Sequence, residues 1–259
     1  MNVDLAELRA AAEEAARLGG SVLQSWAPRF TPREKSPANL VTEADEASQR
    51  AIFDFLRVRY PTHHFLGEEG LDRNVGDSTY RWIIDPLDGT SNYVHGFPYY
   101  AVSIGLECAG TLIVGVIFDP NRRELFSAAR GRGATLNNQP IQPSAVAELS
   151  HALCMASLPV RAGQDHPAVQ RFIRLLDRAQ TVQRTGSAAL NLCGVACGRI
   201  DAFWSSSLSP WDQAAGALIV AEAGGQVTAL DGSPFDVNRP SLLASNGSAL
   251  HGELVQALR

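Results

Sequence analysis

Cysteine is scarce in this chain and carries no pairing pattern. There are four in 259 residues (Cys108, Cys154, Cys193 and Cys197), with no Cys-x-x-Cys among them. That argues against a disulfide framework or a thiolate zinc site. Cys193 and Cys197 stand four apart in an apolar helical pattern, which predicts buried free thiols. No apolar run reaches membrane-spanning length. The first residues show an acidic amphipathic pattern rather than a basic stretch before an apolar one, so no signal peptide is expected. Basic clusters are lacking too. Lys and Arg number 22 against 27 Asp and Glu, a formal net charge of −5, and that balance predicts no direct contact with nucleic acid. With 45% hydrophobic and 19% charged residues, the chain is globular and long enough for a substantial core. A reduced, cytoplasmic, enzyme-sized protein is the expectation.

What the chain does have is Trp82-Ile83-Ile84-Asp85-Pro86-Leu87-Asp88-Gly89-Thr90-Ser91-Asn92-Tyr93. Three apolar residues read as the end of a buried strand. Pro86 fixes its own φ and pushes Asp85 toward extended geometry, so the carboxylate is held. Gly89 opens the backbone, and its N–H with those of Thr90 and Ser91 can face an anion. Two carboxylates beside a phosphate-sized nest repel a phosphate unless cations lie between them. The stretch therefore predicts a metal-dependent phosphate site, against the plainer reading of a polar turn after a strand.

Helical spacing of Leu5, Leu8, Ala12, Ala15, Leu18 and Val22 predicts a surface helix from about Val3 to Trp26, ended by Pro28 and Pro32. An irregular segment over 35–41 precedes a second helix from Thr42 to Tyr60, and His63 to Gly67 reads as a short strand. Strands follow over 101–107, 111–119 and 124–129, with turns at Ala109-Gly110 and Asn137-Asn138. From about His151 the pattern alternates. Strands near Leu153, Val182, Asp201–Trp204, Val227 and Leu242 are interspersed with helices over 167–179, 188–197 and 211–223 and from about Ser248. The expectation is an N-terminal α+β half over 1–145, two helices on a largely antiparallel sheet, and an α/β half over 146–259, packed as one unit.

Other acids are ambiguous one at a time. Glu68 follows a strand as Asp85 does, and neighbouring strands would bring the two together; an acidic loop tip explains Glu68 equally well. Glu69 faces differently and would support the site from behind. N-terminal capping accounts for Asp212 fully, and a capping box accounts for Thr42 and Asp45. Thr90 can cap a turn, Thr185-Gly186-Ser187 can be a turn before a helix or a platform under a ligand, and His95 reads as a loop histidine.

Taken together the pieces resemble the inositol monophosphatase family of magnesium-dependent, lithium-sensitive phosphatases. The resemblance rests on Gly67-Glu68-Glu69, on Trp82 through Gly96, and on Trp211-Asp212-Gln213-Ala214-Ala215-Gly216 through Glu222-Ala223-Gly224-Gly225. Lys35-Ser36-Pro37, Leu40-Val41-Thr42, Asp45, Gly186-Ser187-Ala188-Ala189 and Gly198-Arg199-Ile200-Asp201-Ala202 support it. It implies a layered α-β-α-β-α sandwich and a homodimer. Glu68, Asp85 and the Leu87 carbonyl would hold one Mg²⁺, and Asp85, Asp88 and Asp212 a second, with Glu68 assisting a weaker third. Asp45 and Thr90 would orient the attacking water, while Gly89 and Thr90 N–H groups hold phosphate. Ala188 would lie under the substrate.

The implied activity is hydrolysis of a small phosphate monoester, inositol monophosphate first. Fructose 1,6-bisphosphate, histidinol phosphate and 3′-phosphoadenosine 5′-phosphate are alternatives on the same fold. A non-catalytic partner in an RNA-associated complex is the alternative of another class. In inositol-directed members an acid stands seven residues before the Asp of the Trp-Asp pair; here that position is Ser205, which lacks the charge and reach for ring hydroxyls. Asn39 also replaces an acid often found beside the Leu-Val-Thr segment.

Overall fold

The computed structural model describes residues 4–27, 29–36 and 39–259. Helix α1 (Leu5–Trp26) leads into strands β1 (Arg33–Ser36) and β2 (Asn39–Val41), then α2 (Glu43–Arg59), β3 (His64–Gly67), β4 (Asp72–Arg73) and β5 (Tyr80–Asp88). After α3 (Thr90–Val94) come β6 (Ala101–Cys108), β7 (Thr111–Asp119), β8 (Glu124–Ala129), β9 (Ala134–Leu136) and β10 (Gln139–Pro140). The second half runs β11 (Leu153–Ala156), α4 (Pro167–Leu176), β12 (Thr181–Gln183), α5 (Ala188–Ala196) and β13 (Ala202–Ser205). It ends with α6 (Pro210–Glu222), β14 (Gln226–Thr228), β15 (Leu242–Ser245) and α7 (Ala249–Leu258).

Two sheets organise these elements. The first has eight strands in the order β10-β9-β8-β7-β6-β5-β3-β4, and the second has five, β12-β11-β13-β15-β14. Apolar residues of α1 and α2 (Leu8, Ala12, Ala15, Ile52, Leu56) bury one face of the large sheet through Trp82, Ile84, Ile104, Val114 and Val116. Its other face, with Ile83, Ile117 and Phe126, packs on α5 and α6, which also meet Phe203, Leu242 and Ala244 of the small sheet. Leu175 of α4 and Leu250 and Leu254 of α7 cover the far side with Trp204 and Leu243. The result is the α-β-α-β-α sandwich. Because α5 and α6 are wrapped on both sides, nearly all their residues are apolar, unlike the one-sided α1.

The segment expected to be irregular is mostly paired. Arg33 to Ser36 and Asn39 to Val41 form an antiparallel ladder, too short for its period to show in sequence. Residues 37 and 38, like Val3 and Pro28, lie outside the described residues. The predicted turns hold: Ala109 and Gly110, and Asn137 and Asn138, all have positive φ, as two-residue hairpin turns require.

The seam between α6 and the large sheet is unusually close. A Cβ on Gly115 would come 2.5 Å from the Ala215 carbonyl oxygen, and one on Gly105 would come 2.9 Å from the Ala214 methyl. Glycine at these two positions lets the helix lie almost on the sheet backbone. Ser103 Oγ donates to the Trp211 carbonyl at 3.3 Å, tying the first turn of α6 to β6.

Candidate active site

Strand β5 delivers two acids through an irregularity that its own sequence causes. Against β6, Asp85 lies opposite Ser103 and Asp88 opposite Ala101, so the register shifts between the two acids. Pro86 offers no N–H to the ladder, and a bulge is where a sheet accommodates it. Leu87 N–H turns back to Asp85 Oδ1 at 3.0 Å. On the other side β3 runs parallel to β5, with Gly67 opposite Ile84. Glu68 N–H donates to the Ile84 carbonyl at 3.2 Å, so Glu68 enters at the sheet end where Asp85 leaves. Gln49 of α2 grips the next residue, exchanging two 3.0 Å hydrogen bonds with the Glu69 backbone.

The third acid comes from the opposite side. Ser209 and Asp212 form a capping box at the start of α6, with Ser209 N–H donating to Asp212 Oδ2 at 2.6 Å. Capping and clustering coexist, since one carboxylate oxygen is used in the cap. Carboxylate oxygens of Asp85, Asp88 and Asp212 all lie within 4.8 Å of one another. Burial first, then the neighbouring acids Glu68, Asp88 and Asp212, push the Asp85 carboxyl well above the usual range. Burial and Asp88 raise Asp212 to about 8. Two buried acids and a half-buried third this close do not share charge comfortably without a cation. An all-oxygen donor set fits a hard divalent ion.

Asp88 also has a partner that the motif alone does not reveal. The Ser187 hydroxyl donates to Asp88 Oδ2, and the N–H groups of Ala188 and Ala189 reach the same carboxylate at 3.3 and 2.8 Å. The positive end of α5 thus faces an acid from β5. Burial raises Asp88 to about 6, with these donors opposing it.

Asp45 sits fully buried at the start of α2. Its Oδ2 accepts from Thr42 N–H at 2.8 Å and Thr42 Oγ1 at 2.6 Å. Its Oδ1 accepts from Thr90 Oγ1 at 3.0 Å, and Thr90 Oγ1 also lies 3.2 Å from the Leu87 carbonyl oxygen. Gly89, with φ of 98°, turns β5 into α3; a side chain there would be strained and its Cβ would stand 3.0 Å from the Tyr99 carbonyl oxygen.

A cavity of about 550 Å³ opens over Glu68, Gly89, Thr90, Ser91 and Asp212. A second of about 300 Å³, over Asp88, Ala188 and Leu158, shares Val160, Arg184, Gly186, Ser207 and Asp212 with it. Asp85 lies beneath, 1% exposed. Ser205, expected at the substrate, is 0% exposed and lines neither cavity. Its hydroxyl accepts from Ser207 N–H at 3.2 Å, and Ser207 lines both cavities. His95 is an exposed cap residue at the end of α3. A separate cavity of about 400 Å³, over Tyr99, Phe126 and Cys193, contains Glu124 as its single acid, and Glu124 is paired with Arg199 at 2.6 Å.

Sequence reasoning missed Ser187, Gln49 and Ser103 as supports of the acids. Ser187 had a visible signal, a glycine turn before a helix; its partner 99 residues away did not.

A sequence profile of the inositol monophosphatase family matches residues 4–259. An inositol-1-monophosphatase of Synechocystis is 42% identical over 253 residues, covering 97% of this chain and 88% of the relative. A protein of Pseudomonas aeruginosa named Nus factor SuhB is 42% identical over 218 residues, covering 82% of this chain and 80% of the relative. The solved structure of an inositol monophosphatase from Anabaena superposes with a TM-score of 0.89 at 40% identity, over 99% of this chain and 96% of that one. With the profile spanning the described fold and the acids converging as they do, the chain belongs to the inositol monophosphatase family of metal-dependent phosphatases.

Proposed function

We propose that the chain hydrolyses a small phosphate monoester in the presence of Mg²⁺, with inositol monophosphate the leading substrate. Fructose 1,6-bisphosphate, histidinol phosphate and 3′-phosphoadenosine 5′-phosphate are the alternatives. The reading is carried by one observation: two carboxylates from strand β5 and a third from the first turn of helix α6 lie within 4.8 Å of one another beside a polar cleft. Glu68, Asp85 and the Leu87 carbonyl would hold one ion, Asp85, Asp88 and Asp212 a second, and Glu68 would assist a third. Bound Mg²⁺ supplies Lewis-acid polarisation, charge neutralisation and a lowered pKa for the attacking water.

The chain's own groups position and move protons. Thr90 Oγ1 donates to Asp45 Oδ1, which leaves the hydroxyl lone pairs to accept from the attacking water. A proton leaving the water passes to Thr90 Oγ1 as that hydroxyl gives its own to Asp45. Gly89 and Thr90 N–H groups hold the phosphate, and Asp88, Asp212 and Ala188 face the departing alcohol. Glu69 is held by Gln49 behind Glu68. Phosphoryl transfer needs placement and charge stabilisation more than a covalent nucleophile, so hydrolysis is direct, without a phosphoenzyme.

We read residues 1–145 and 146–259 as two halves of one catalytic unit. It acts as a homodimer in the cytoplasm, is sensitive to Li⁺, and does not contact nucleic acid directly. The free cysteines agree with a reducing compartment, and no described helix is long and apolar enough to cross a membrane. The Nus factor name of the Pseudomonas relative favours a second reading, a binding partner in an RNA-associated complex; the complete acid set favours catalysis. Phosphate release across a substrate panel, with Mg²⁺ and with or without Li⁺, tests the reading. Turnover is expected; no turnover on any member and no metal uptake would sink it, as trapping a phosphorylated residue would sink direct hydrolysis.

A further inference from the structure

The alcohol side of the cleft is built by three loops that follow parallel strands. Strands β12, β11 and β13 are adjacent, and both of their pairings are parallel. Leu158, Pro159 and Val160 follow β11, Arg184 follows β12, and Ser207 follows β13; all of them line the smaller cavity. Loops beyond the carboxyl ends of neighbouring parallel strands are where such sheets bind ligands. The wall is mostly apolar on the β11 side, with the Ser157 hydroxyl its one polar side chain there, neutral at Ser207 and cationic only at Arg184, which also lines the larger cavity.

Arg184 is exposed, and no hydrogen bond or ion pair engages its guanidinium among the described residues. It stands between the two cavities in a site otherwise rich in acid. With Ser205 buried and bonded to Ser207, no acid from β13 reaches the alcohol side to accept from ring hydroxyls. Apart from Asp88 and Asp212, which the proposed metal ions would engage, the leaving-group surface offers only the hydroxyls of Ser157 and Ser207 as side-chain acceptors and carries a guanidinium fork, which suits a carboxylate or phosphate.

Resting on the phosphatase reading, we infer that Arg184 selects phosphate monoesters whose alcohol portion carries a second anionic group, a phosphate or a carboxylate. The test is kcat/KM of this chain with Mg²⁺ on fructose 1,6-bisphosphate, 2-phosphoglycerate and glycerol 2-phosphate, whose alcohol portion is uncharged, for the wild type, Arg184→Gln and Arg184→Lys. The wild type should prefer an anionic alcohol. Arg184→Gln should lower the ratio of anionic to neutral kcat/KM by about 10- to 100-fold, the range for a lost charge-assisted contact, mainly through KM. Arg184→Lys should fall between. Comparison of the first two substrates identifies which anion is read. Equal losses on all three substrates, or no wild-type preference, would overturn the inference while leaving the phosphatase standing. No turnover of any substrate by the wild type would overturn both.

Discussion

Thr90 Oγ1 donates to Asp45 Oδ1 at 3.0 Å, while the other oxygen of Asp45 accepts twice from Thr42. One buried carboxylate therefore starts a helix and, with its remaining oxygen, holds the hydroxyl of Thr90, which lines the cleft. Asp45→Asn keeps a capping side chain but removes the charge that receives a proton. Phosphate release should fall about 10²- to 10⁴-fold with little change in thermal midpoint. Activity within a few-fold of wild type would remove Asp45 from the proton path.

Metal should stabilise as well as activate. A cation bound only by the folded chain adds about 2.7 kcal/mol at a hundredfold excess over Kd. Mg²⁺ should raise the melting temperature of chelator-treated protein, and Asp88→Asn and Asp212→Asn should blunt that rise and abolish turnover while keeping the fold. A variant with the full thermal response and full activity would exclude that acid from the ligands.

Ser187 couples the halves of the site, capping α5 through Leu190 N–H at 3.2 Å while donating to Asp88. Ser187→Ala should cost about 1 kcal/mol from the cap and more from the donor lost to a buried carboxylate. Chemical denaturation with and without Mg²⁺ measures it; an unchanged midpoint would mean that the hydroxyl carries no load.

Glu222 at the end of α6 accepts N–H bonds from Gly131, Arg132 and Gly133 at 2.8, 3.1 and 2.9 Å. Glu222→Gln can satisfy only part of this nest, and a loss of about 1–3 kcal/mol is expected, with turnover per folded molecule preserved. Urea midpoints paired with active-site-normalised rates would reveal any other outcome.

His63 predicts acid sensitivity far from the metal ligands. Its Nδ1 accepts the Trp82 indole N–H at 3.1 Å, and its ring stacks on Tyr60 and Tyr80. Burial, then nearby His64, lower it from an ordinary 6.5 to about 4. The unfolded chain takes up this proton as pH falls below about 6.5, whereas the folded chain resists until about 4. The stability from neutral His63 is thus whole above 6.5, lost through that window and gone below 4. Relative to His63→Gln, the wild type should lose stability between these pH values in the presence of Mg²⁺; parallel curves would disprove the linkage.

Much of this was legible because local rules and the site coincide. The apolar run into Asp85-Pro86-Leu87-Asp88 announced both a buried strand and its break, and Thr42 with Asp45 announced a cap that the structure has. The two readings of Asp212 were equally valid locally. Only the packing of α6 on β6 and β7, an interaction between distant segments, joins them. α3 escaped because five residues hold too little helical period. Ser205 ends a strand buried on both faces, and the chain reaches the cavities two residues later at Ser207, an end point that strand periodicity does not fix.

The close seam at Gly115 has a bearing on the cluster at the front. Asp212 rides on the helix that touches Gly115 through Ala215, so the spacing of three carboxylates is gauged by a side chain that is not there. A single methyl group at position 115, carrying no charge and touching no substrate, would act as a shim behind the helix and spread the acids apart. Damage at such a place would look like weakened metal affinity, and inspection of the cleft alone would never locate its source.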